Sequence, residues 1–116
     1  STNLINCDKE LAKLINEINK DINVKNSIYV KPILEHYECN TETELTNKIK
    51  SCTALSKVPV AMTEKDGIFQ CDYKNRYITE DVFIGMKYII NLAELYNVDI
   101  PKIKELYDFF YKFKCS

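Results

Sequence analysis

Apolar residues return at three- and four-residue intervals through most of this chain, and little interrupts them. Only two glycines and three prolines occur in 116 residues. A chain so patterned and so poor in breakers folds as packed amphipathic helices. Leu4, Ile5, Leu11, Leu14, Ile15, Ile18 and Ile22 carry the period between Lys, Glu, Asp and Asn, predicting a helix over roughly residues 3–22. The polar run Asn23 to Ser27 ends it. Tyr29, Val30, Ile33, Leu34 and Tyr37 predict a shorter second helix. Pro32 is tolerated only near a first turn, so that helix begins at about residue 30.

Thr41 and Glu44 have capping-box spacing ahead of Leu45 and Ile49, predicting a third helix that runs to Ala54. From Lys57 to Tyr73 the period is lost. Pro59 and the turn signal Asp66-Gly67 punctuate this stretch, and Ile68 and Phe69 could pair briefly as strand. Mostly ordered loop is expected there, and a loop so long is functional or packed across a neighbour. The period resumes at Thr79, read as an N-cap, with Glu80 and Asp81 in the dipole-favoured first turn. Val82, Met86, Ile89, Ile90, Ala93 and Leu95 carry this helix to about Tyr96, where Asn97 fits the C-terminal cap. Pro101 suits the first position of a last helix, whose apolar face is Ile103, Leu106, Tyr107, Phe110 and Phe113, widened by Phe109 and Tyr111. The expected fold is all-α, one domain spanning residues 1–116, with about five helices and one long ordered loop.

A formal net charge of −1 argues against a nucleic-acid binder or a membrane-surface binder, either of which needs a basic patch. No apolar run reaches membrane-spanning length and no basic-then-apolar leader is present, so a cytoplasmic location is expected. The five cysteines (Cys7, Cys39, Cys52, Cys71 and Cys115) include no C-x-x-C pair, so no zinc site or redox motif is indicated. They read as reduced, mostly buried thiols. No glycine-rich phosphate loop can be written in the sequence, which excludes both common nucleotide-binding routes.

The densest group of chemically capable side chains is Arg76-Tyr77-Ile78-Thr79-Glu80-Asp81-Val82, followed by Gly85. Arg76 reads as lying in a loop just outside the helix that starts at Thr79. With Leu92-Ala93-Glu94-Leu95, Val98, Pro101 and the closing apolar helix, this motif resembles the end of the helical, substrate-binding domain of the octopine/nopaline (opine) dehydrogenase family. Residues from Ile33-Leu34-Glu35 to Leu45 resemble it more loosely.

The resemblance implies a dehydrogenase-like helical bundle whose Rossmann cofactor domain is absent from this chain. It further implies an NAD- or NADP-dependent oxidoreductase that condenses an amino acid with a 2-oxo acid. The cofactor is not bound by this chain, and the chain alone is expected to be inactive. Arg76 matches the family's substrate-contacting arginine, and its planar fork suits a carboxylate. Asp81 matches the aspartate that orients and charges the catalytic histidine. Thr79 and Glu80 lie inside the same motif and join Arg76 as substrate-binding candidates; no metal ligand is indicated. Where the family commonly has proline, this sequence has Phe83. The only histidine, His36, falls in a segment that does not match the family's catalytic-histidine motif. The rival expectation is a stand-alone helical interaction module without catalysis, docking or forming a homodimer through the Phe109–Phe113 helix.

Overall fold

The computed structural model describes residues 2–21, 23 and 29–114. Ile22, Val24 to Ser27 and Cys115, which figure in the expectations above, lie outside them. Helix α1 spans Thr2–Asn19 and buries Ile5 and Leu14. The single turn α2 spans Ile33–His36, starting one residue after Pro32 rather than at residue 30. Helix α3 spans Glu42–Ser51, and Thr41 caps it by accepting the Glu44 N–H at 3.1 Å. The Glu44 carboxylate reaches back to the Asn40 N–H at 2.7 Å. The third helix does not run unbroken to Ala54. Cys52 adopts an extended ψ of 108° and separates α3 from the single turn α4, Thr53–Ser56.

The stretch expected to be mostly loop contains a β-hairpin. Strands β1 (Met62–Lys65) and β2 (Ile68–Cys71) pair antiparallel, with Lys65 opposite Ile68 and Met62 opposite Cys71. Asp66 and Gly67 both have positive φ, 53° and 76°, as a two-residue type I′ turn requires. That turn twists with the strands and fixes the register. The fold is therefore mostly helical with a small two-stranded sheet, not all-α.

The next rod also starts earlier than expected. Asn75, not Thr79, is its cap, and its Oδ1 accepts the Tyr77 N–H at 3.0 Å. Helix α5 runs Arg76–Thr79, a π-helical segment follows over Asp81–Met86, and α6 continues over Lys87–Leu95. In the widened turn the Gly85 N–H donates to the Glu80 carbonyl at 2.9 Å, five residues back. Counted as one rod, this gives six helices among the described residues. Asn97 ends the rod with a φ of 55°, a left-handed cap. Helix α7, Pro101–Tyr111, begins with its proline in the first turn.

The core gathers Leu14 of α1, Ile90 and Ala93 of α6, Val98 and Ile100 of the connection, and Ile103 of α7. Two carboxylates of α1 complete other helix ends. Both Glu10 oxygens accept α7 N–H groups, from Lys102 at 2.7 Å and Ile103 at 2.9 Å, while Asp8 accepts the Ile33 N–H at 3.0 Å. These contacts supply the N-terminal capping that α2 and α7 lack locally. Tyr96 at the end of the rod donates to Asp21 at 2.8 Å and closes the same bundle.

Candidate functional site

Three faces run along the rod between residues 76 and 83. Ile78 and Val82, four apart, point inward and are buried. Arg76, Tyr77, Glu80 and Asp81 fill the i, i+1, i+4 and i+5 positions and line one outward concavity of about 310 Å³. Thr79 and Phe83, again four apart, line a different concavity of about 640 Å³. Of the four motif residues singled out in the sequence, Arg76, Glu80 and Asp81 therefore share a surface. Thr79 does not share it, and as the last residue of α5, with Asn75 in the cap position, it does not cap the helix.

Arg76 is not in a loop; it is the first residue of α5. Its Nη2 meets Glu80 Oε2 at 3.2 Å across one helical turn, with the two side chains 77% and 55% exposed. An ion pair so open to water adds little stability, and at most about 1 kcal/mol is typical. It does hold the guanidinium along the helix while leaving further N–H groups for an anion. Asp81 is exposed at the first position of the π segment and has no hydrogen bond or ion pair among the described residues. Its carboxylate remains open to a donor from outside. Gly85 is not demanded by sterics, because a methyl there would meet the Glu80 carbonyl at 3.6 Å, an ordinary contact.

The 640 Å³ concavity sits between the hairpin, the rod and the end of α7. Tyr73 stacks on Phe113 with ring centroids 4.2 Å apart and planes 11° from parallel. Lys114 Nζ stands 5.3 Å from the centre of the Phe83 ring and 5.5 Å from that of Tyr111. Partial burial, with Cys71 beside it, pushes the Tyr73 phenol up. Sequence reasoning missed this wall because its residues come from three separated stretches. Tyr77 was missed on the first surface, although its four-residue spacing to Asp81 could have found it.

A groove of about 780 Å³ between α1 and α7 is lined mainly by charged residues and by none of the motif. His36 is exposed on α2, with its ring edge-on to Tyr37 at 5.0 Å. The free thiols Cys7, Cys39, Cys52 and Cys71 are each half-buried, not buried as expected. Burial, then Glu10 and Glu105, push the Cys7 thiol up, which leaves it a poor nucleophile. Among the described residues no three His, Cys, Asp or Glu side chains gather as a metal site. No helix there is long and apolar enough to cross a membrane.

Residues 1–113 match the family described as NAD/NADP octopine/nopaline dehydrogenase, alpha-helical domain. The chain belongs to that family. No curated protein and no solved structure matches it. The family name implies that the full enzyme uses NAD or NADP. The residues present here do not fit a dinucleotide. The two glycines lie in the hairpin turn and the π segment, and the sheet of the described residues is one antiparallel hairpin. Neither feature forms the strand-turn-helix cradle that a pyrophosphate needs.

Proposed function

We propose that this octopine/nopaline dehydrogenase helical domain supplies the substrate-binding and histidine-orienting side chains for reductive condensation of an amino acid with a 2-oxo acid. The cofactor-binding Rossmann half, on this reading, lies outside the 116 residues, and the catalytic histidine comes from there or from its junction with this domain. The observation that carries the reading is the shared concavity of Arg76, Glu80 and Asp81 at the start of one rod. It joins a carboxylate-binding fork to an open carboxylate, the two groups the chemistry asks of this half.

Arg76 anchors a substrate carboxylate by paired N–H donors, and Glu80 keeps the fork from swinging away. Asp81 accepts the outer N–H of the incoming histidine, fixing its tautomer and favouring the imidazolium. Thr79 serves substrate only from the other concavity, where its hydroxyl lines the wall.

In a two-domain enzyme carrying this chain, Asp81→Asn should lower kcat on the order of 100-fold or more and leave KM nearly unchanged. Arg76→Ala should act mainly on KM. Wild-type kinetics in both variants, with circular dichroism intact, would reduce the motif to a helix start. The 116-residue chain alone should oxidise no NADH or NADPH in the presence of amino and oxo acids, and turnover by it would overturn the missing-half reading. A second reading, self-association through α7, draws on the exposure of Phe109 and Tyr111. A strict monomer by sedimentation removes it.

A further inference from the structure

The concavity on the Thr79–Phe83 face has the makings of a ligand site in its own right. Its apolar wall is preset, because the Tyr73–Phe113 stack ties the segment after β2 to the end of α7. Phe83 presents a third ring. Lys74 and Lys114 both line the space, and among the described residues neither has an ion-pair partner. Against these two ammonium groups stands one carboxylate, Asp72, whose Oδ1 already accepts the Lys74 backbone N–H at 3.1 Å. The half-buried Thr79 hydroxyl has no hydrogen-bond partner among the described residues and is free to donate. Convergent polar groups at the edge of an aromatic wall are how small-molecule sites are built.

We propose that this concavity binds an organic carboxylate with an aromatic or bulky apolar body. The body lies against Phe83 and the Tyr73–Phe113 stack, and the carboxylate takes Lys114, Lys74 and the Thr79 hydroxyl. An aromatic acid suits it better than a small anion, since Lys114 already rests over ring faces and a planar ligand can join that layer. Binding here depends on neither Arg76 nor Asp81, which face another side of the rod, so it stands or falls apart from the roles proposed for that pair.

The test titrates the 116-residue chain with phenylacetate, phenylacetamide and acetate, followed by amide chemical shifts and calorimetry. Phenylacetate should bind with a Kd on the order of 1 mM and shift the Thr79 and Phe83 amides, with the neutral amide and the small anion each about tenfold weaker or worse. The double variant Lys74→Gln, Lys114→Gln changes only exposed side chains. It should bring phenylacetate down to the level of phenylacetamide, while Arg76→Ala leaves binding unchanged. Equal binding of phenylacetate and phenylacetamide, or shifts confined to the Arg76 face, would overturn the proposal. So would loss of binding in Arg76→Ala.

Discussion

Around Leu14 the large apolar side chains are buried or partly buried, whereas along the hairpin nearly every one is open. Leu14 and Ala93 are 1% exposed and Ile100 is fully buried. On and before the hairpin, Val60 is 78% exposed, Phe69 64% and Ile68 61%. The first region unites helices distant in sequence and completes their ends with α1 carboxylates. The second is held by its own turn and strand pairing, and a two-stranded hairpin is at best marginally stable alone. The rod that carries the Arg76–Asp81 surface follows the hairpin in the chain and runs on into the core through Ile90 and Ala93. Burial is thus concentrated in the helical region, and the hairpin contributes little of it.

A matched pair of truncations should give the largest contrast. Leu14→Ala should cost about 2–5 kcal/mol by chemical denaturation, from lost burial and the cavity left in the core. Phe69→Ala should change stability by less than about 0.5 kcal/mol, because the exposed ring gains little from folding. Equal effects would erase the distinction between the regions. Next in size, Glu10→Ala should cost about 1–2 kcal/mol, since it uncovers two N–H groups of α7 that no local side chain can cap. If Lys102→Ala costs as much, the effect lies in surface charge and not in capping. Hydrogen exchange should then rank the amides, with β1 and β2 opening far below the global free energy and α6 near it.

The smallest effect is one of pH. The Asn23 backbone N–H, and then the Tyr96 hydroxyl, hold the Asp21 carboxyl below the usual range. A carboxylate lowered in the folded state stabilises above its unfolded pKa, roughly 3.9, and that contribution is lost as pH falls through the folded value. Stability should therefore drop on acidification below about pH 4, with a shallower slope in Tyr96→Phe, measured by thermal melts across pH. An unchanged slope would show that Tyr96 does not hold Asp21 in solution.

Much of the helical half was legible because its signals are local. Period, the Thr41 cap, the Asn97 cap and Pro101 at a first turn all act within a few residues, and the structure keeps each of them. The Arg76–Asp81 motif was also legible as a group. Its helix start was misplaced, because Asn75 and Thr79 are both good caps and sequence alone does not choose between them. Asn75 is used because a start at Arg76 turns Ile78 and Val82 inward together.

By itself the sequence determined the family, the helical character and the Asp66-Gly67 turn, each written in spacings of a few residues. Only the tertiary structure decided that Thr79 parts company with Arg76, that Glu10 caps α7 across the bundle, and that Tyr73, Phe83, Phe113 and Lys114 form one wall. These depend on how the rod is rotated against the core and on contacts between residues tens of positions apart. Local propensity carries no information about either, because packing sets both.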